Sequence, residues 1–171
     1  GGSADFPTVT DTYGNTWTPV RVQQTSAWPG FLWVFTSLNA SGGPGHQFFV
    51  SKPDSYPTLL AVEVIGTGVT VSGGGGLDNT SPYQTPSATT TGDALLLGAF
   101  APGYPGSTVT ITPGNGFSTE VEEPRGDGSW VASVASRTVL TGSYQAAWTM
   151  TGNAANDFNY AEDLLVLTVG P

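Results

Sequence analysis

Glu120 and Glu122 are the carboxylates of this sequence most readily assembled into a catalytic pair. On an extended strand, residues i and i+2 share a face and stand roughly 6–7 Å apart at Cα. A retaining glycosidase needs two carboxyls about 5–5.5 Å apart, and an inverting one a wider gap. The spacing therefore admits a glycoside hydrolase or lyase. The surroundings argue against one. Glu120-Val121-Glu122-Glu123 runs into Pro124 and the Gly126-Asp127-Gly128 turn, the pattern of a solvated strand end.

Glu63 sits inside the apolar run Leu59–Ile65, on the face of Leu59, Ala61 and Ile65. A buried carboxylate needs a partner or it is driven neutral. Two roles are open to it. It could face a ligand on a concave sheet, as a binding or acid/base group. It could also be a structural carboxylate paired with Arg21, Arg137 or backbone N–H groups, since ion pairs perturb carboxylates as readily as active sites do.

His46 is the single histidine, and there is no cysteine. Disulfides, zinc–thiolate sites, cysteine nucleophiles and multi-histidine zinc catalysis are thereby excluded. A Ser-His-Asp relay would have to use His46, which follows the Gly42–Gly45 loop, and no Gly-x-Ser-x-Gly elbow is present. The run Gly73–Gly76 lacks the Lys-Ser/Thr ending of a phosphate loop and reads as a hairpin or crossover. Calcium is the cofactor left open. Asx residues cluster at Asp11/Asn15, Asp78/Asn79, Asp127 and Asn153/Asn156/Asp157. Hard oxygen ligands in loops suit it, although Asx residues also form turns by themselves and no EF-hand spacing occurs.

Aromatic rings are the leading binding candidates. Sugar rings stack their C–H faces on Trp and Tyr, while nearby amides and carboxylates take the hydroxyls. Trp28, Tyr83, Tyr104 and Tyr160 lie in or near loops, and with Glu63 they make up the predicted ligand-binding set. Trp28-Pro29-Gly30 and Gly103-Tyr104-Pro105-Gly106 read as rigid tips that could display a ring. The same rings could instead cap the ends of a core. Trp33, Trp130 and Trp148 fall within strand runs and read as core.

Bulk properties narrow the partners. The 171 residues include 4 Lys+Arg against 13 Asp+Glu, a net charge of −9. Nucleic acid and anionic membranes call for cations in numbers this chain lacks, and no apolar run approaches the roughly 18 residues of a membrane span. Charged residues are only 10% of the chain, so hydroxyls and amides carry much of its solubility.

The elements that must position these groups are strands. Twenty-four Gly and 13 Pro punctuate the chain, and the runs between them alternate with a period of two. Phe31, Trp33 and Phe35 share a face. Val109 and Ile111 alternate with threonines, Val69 and Val71 alternate with Thr70 and Ser72, and Leu165, Leu167 and Val169 share a side. Leu59–Ile65 and Ala94–Phe100 are nearly continuously apolar and predict strands covered on both faces. Ala154–Asp163 could hold one short helical turn. Roughly ten short strands predict an all-β chain, a two-sheet antiparallel sandwich of jelly-roll type. Residues 1–5 read as a linker or expression remnant and 6–171 as one domain.

Asp11-x-x-Gly14-Asn15-Thr16-Trp17 opens the chain. The aromatic strand Phe31–Phe35, a Gly-rich loop and Phe48-Phe49-Val50 follow, then Val62-Glu63-Val64-Ile65-Gly66 and Gly92-Asp93-Ala94-Leu95-Leu96-Leu97-Gly98. The Trp148 strand and Leu164-Leu165-Val166 complete the order. This order resembles the concanavalin A-like or jelly-roll sandwich domains of bacterial exported proteins and of phage tail or virion proteins. Such domains often carry a further apolar strand first. Here Gly1–Thr10 offers only Phe6–Val9, so the resemblance implies an N-terminal edge completed differently or by a neighbouring chain.

The expectation is therefore a non-catalytic extracellular or virion-surface module that recognises a polysaccharide or cell-surface glycan. The alternative is a structural decoration, tail or surface-layer domain that contacts neighbouring subunits through a sheet edge.

Overall fold

A computed structural model describes residues 7–24, 31–51, 59–65, 70–76, 81–102, 109–124, 131–152 and 160–168. Among them are fourteen strands and no helix. The first seven are β1 (Thr8–Asp11), β2 (Thr18–Gln24), β3 (Phe31–Thr36), β4 (Phe48–Ser51), β5 (Thr70–Gly76), β6 (Tyr83–Gln84) and β7 (Ala88–Thr90). The others are β8 (Ala94–Pro102), β9 (Val109–Pro113), β10 (Ser118–Pro124), β11 (Val131–Val139), β12 (Gly142–Tyr144), β13 (Ala147–Gly152) and β14 (Tyr160–Thr168).

The largest sheet has five strands in the order β10-β11-β8-β14-β5, and a three-stranded sheet runs β6-β13-β9. Two-stranded ribbons join β1 to β4, β2 to β3 and β7 to β12. Neighbours are antiparallel throughout, and none of these sheets closes into a barrel.

The period of two sets the core. Along β8, Ala94, Leu96, Gly98 and Phe100 are buried, while Leu95, Leu97 and Ala99 between them are half-buried. Gly98 stands opposite Leu164 of β14 and Ala135 of β11, so the three share a face. Side chains of that face form one cluster with Tyr83, Val109, Ile111 and Trp148 of the three-stranded sheet, with Phe117 added from the β9–β10 connection. Phe100 stacks on Tyr83 and on Trp148, each at a centroid distance of 5.3 Å. Burying a large side chain of this kind contributes roughly 1.5–3 kcal/mol. Trp148 is core, as its strand context predicts, and Trp33 is half-buried against Phe31, their rings 5.0 Å apart.

Several expectations are corrected. The run 59–65 forms no strand, and Leu59, Val62 and Ile65 are exposed, Ile65 by 94%. The sheet position beside β14 is held instead by β5, whose Gly73–Gly76 pair with Leu165–Glu162. That tract is therefore an edge strand and not a loop. Residues Tyr160–Asp163 extend β14 and take no part in a helical turn; residues 154–159 lie outside the described set. The N-terminal candidate Phe6–Val9 overlaps β1 only at Thr8 and Val9; β1 runs on to Asp11 and pairs with β4, Pro7 lies before it and Phe6 lies outside the described residues. No helix among the described residues is long and apolar enough to cross a membrane.

Candidate functional site

Two polar clusters stand out among the described residues, one around Asp11 and one around Arg137. The Asp11 side chain is shielded from solvent. Its Oδ1 accepts the backbone N–H of Tyr13 at 2.8 Å and of Asn15 at 3.2 Å. Its Oδ2 accepts Asn15 Nδ2 at 2.9 Å and Trp17 Nε1 at 2.7 Å. An Asp followed by a left-handed Gly, here Gly14 at φ 71°, closes such an Asx turn readily. Burial opposes the charge, but the bonds from Asn15, Trp17 and the two backbone amides outweigh it and hold the carboxyl well below the usual range.

Asn15 carries the order across the chain. Its amide donates to Ser41 O at 2.8 Å and accepts from Ser41 N at 2.7 Å, as a paired strand would. His46 Nε2 stands 3.5 Å from Asp11 Oδ2, and its ring stacks on Phe48 at 4.4 Å. His46 Nδ1 lies against the backbone of Gly42, 3.3 Å from where a Cβ would stand. A catalytic relay needs a nucleophile's hydroxyl at that nitrogen. The arrangement is instead a clasp that ties β1, β4 and two loops together. It also leaves no seat for calcium between Asp11 and Asn15, because N–H donors occupy the carboxylate lone pairs a cation would use. No group of three or more His, Asp or Glu suited to a metal occurs among the described residues. The other predicted calcium clusters, around Asp78, Asp127 and Asn153, lie outside them.

The second cluster lines an open hollow of about 610 Å³ formed by Ser87, Asn115, Gly116, Arg137, Ser143, Tyr144 and Gln145. Alternation along β11 gives Arg137 the same side as the buried Ala135 and Val139. Its guanidinium lies 5.2 Å from the Tyr144 ring centroid, and Nη1 donates a short hydrogen bond to Asn115 O. Asn115 and Gly116 have φ of 53° and 77°, and Phe117 N bonds back to Gly114 O at 3.0 Å. This is an Asn-Gly turn of the type that demands two left-handed residues. Asn115 Nδ2 donates to Gln145 O at 3.2 Å, and Gln145 Nε2 donates to Thr85 O at 2.9 Å. The hollow is thus braced by backbone acceptors on several sides.

Of the predicted binding set, the two residues whose side chains are described, Tyr83 and Glu63, do not line the hollow. Tyr83 is 7% exposed and stacks in the core on Phe100, so it is a packing residue and not a displayed ring. Glu63 is exposed on the strandless run 59–65, and the Arg137 contacts are Asn115 and Tyr144, not Glu63. Trp28, Tyr104 and Trp130 lie outside the described residues; of Tyr160 only the backbone, paired with Pro102, is described.

Glu120 and Glu122 do not share a face. A β-bulge between Thr119 and Val121 leaves Glu120 without a register partner on β11. Glu120 accepts a short bond from Ser136 Oγ, while Glu122 stands opposite Ser133, on the other side of β11. One extra residue reverses the alternation.

The residues missed from sequence are Arg137, Asn115, Ser143, Tyr144 and Gln145. The signal for the first was present: Ser133, Ala135, Arg137 and Val139 share a parity, which puts an arginine in a core-facing row of a chain with 4 basic residues. No family model matches the chain, and no curated protein or solved structure matches it either.

Proposed function

We propose that the chain is a non-catalytic module that recognises a polysaccharide or cell-surface glycan, of the kind borne by exported bacterial or phage tail proteins. The observation that carries this reading is the braced polar hollow beside Arg137, where amides, hydroxyls and a guanidinium converge around one aromatic residue. Such convergence on a concave surface suits a ligand rich in hydroxyls. A Lys-poor, hydroxyl-rich composition suits an extracellular or virion-surface setting. A core shared by the five-stranded and three-stranded sheets supports a jelly-roll-like sandwich as the underlying fold. The test is a glycan array probed with the folded protein. Binding to a defined glycan class is expected, and a blank array from a protein with an intact thermal transition would remove the reading.

A structural role is the second reading. The exposed Leu59, Val62 and Ile65, with β5 and β10 as sheet edges, favour contact with a neighbouring subunit. A single monomeric species in sedimentation velocity at high concentration would count against it.

A further inference from the structure

We infer that the Arg137 hollow recognises the carboxylate of an acidic sugar, so that the glycan taken is a uronate-type polysaccharide; this rests on the glycan reading above. Acidic residues outnumber basic ones by 13 to 4 in this chain, so a cation should readily find a carboxylate partner. Arg137 has none among the described residues. Its contacts are the Asn115 carbonyl and the Tyr144 ring.

The guanidinium is also held in place. The Tyr144 ring backs it, the Asn115 carbonyl fixes one nitrogen, and the Asn115-Gly116 turn lies against it. Glycine at 116 is required by its φ of 77° and not by space, since a Cβ there would make only ordinary contact with Arg137 Cζ at 3.4 Å. A planar guanidinium has five donors, and its fork matches the two oxygens of a carboxylate. Fixing it in advance lowers the ordering cost of binding. A neutral sugar could take single hydrogen bonds from the guanidinium, but only an anion adds charge pairing and fills both arms of the fork. Multiply charged phosphate esters are commonly met by several cations, whereas Arg137 is the only charged residue among the described residues that line the hollow. A monoanion with hydroxyls around it fits one guanidinium flanked by Ser87, Ser143, Asn115 and Gln145.

Titration calorimetry with polygalacturonate and alginate fragments, their carboxyl-reduced counterparts and neutral glucans tests this. Acidic fragments should bind, carboxyl reduction should weaken binding by about tenfold or more, and added salt should weaken it further. Arg137→Gln should match the effect of carboxyl reduction, with Arg137→Lys intermediate because it keeps the charge and loses the fork. Ser143→Glu places a like charge at the exposed rim without touching the core. It should repel the acidic fragments with an unchanged thermal transition, which decides the matter if Arg137→Gln does not fold. Equal binding of reduced and acidic fragments, or undiminished binding by folded Ser143→Glu, overturns the acidic assignment and leaves the glycan reading standing. Binding of sulfated glycans alone overturns it in the same way. Absence of binding to every acidic and neutral glycan overturns both.

Discussion

Trp148 lies so close over Gly98 that a Cβ added to residue 98 would stand 2.8 Å from its Cη2 and 2.9 Å from Ala146 Cβ. The three-stranded sheet meets the five-stranded sheet at this point, and the glycine is what lets the indole in. Gly98→Ala should therefore destabilise the fold by about 1–3 kcal/mol through overpacking. For a chain of this size that lowers the midpoint by roughly 2–4 °C per kcal/mol, readable in a thermal melt. A melt unchanged by Gly98→Ala would mean the indole is not seated there.

Tyr83 should behave as a core residue. Tyr83→Ala removes the ring that stacks on Phe100 and should cost about 3–5 kcal/mol, as large aromatic truncations in cores do. The folded fraction should keep its glycan affinity. A stable Tyr83→Ala protein with abolished binding would return Tyr83 to the ligand surface.

Asp11 makes stability depend on acid. Its folded pKa lies below the reference value of 3.8, so between the two the unfolded chain binds more protons than the folded one. Its contribution is complete above the unfolded value and is lost as pH falls through the folded value. Denaturant midpoints followed downward from about pH 7 should decline below about pH 4. In Asp11→Asn this acid-side decline should flatten, and the midpoint at neutral pH should fall. The new amide would turn N–H groups toward Asn15 Nδ2 or Trp17 Nε1, which now donate to the carboxylate.

The two glutamates of β10 should be catalytically silent. Glu120→Gln and Glu122→Gln should each shift stability by no more than about 0.5 kcal/mol and leave glycan binding unchanged. Reducing-end assays on polysaccharides give the decisive number. Hydrolysis by the parent chain that disappears in both variants would restore a glycosidase reading.

Much of the strand pattern is legible in the residues alone. The alternation of Val109 and Ile111 with threonines, the apolar β8 run and the Gly and Pro punctuation determine an all-β chain, because a period of two suits only a pleated strand. Asp11-x-x-Gly14-Asn15 determines a local turn, because its hydrogen bonds run within a few residues. The lack of Cys and the lone His46 close off thiol and multi-histidine chemistry by this chain's own residues, because the groups are not there.

What the residues do not contain is which strand lies beside which. Leu59–Ile65 and the Gly-rich β5 both precede β14, and only tertiary pairing gives the sheet edge to the glycines and leaves Ile65 exposed. The bulge at Glu120 likewise depends on how β10 meets β11. Arg137 and Asn115 are 22 residues apart, and nothing in the sequence around Tyr83 marks it as a core residue. Hydrogen-bond register and packing join residues distant along the chain, so the hollow and the buried Tyr83 were decided by the tertiary structure alone.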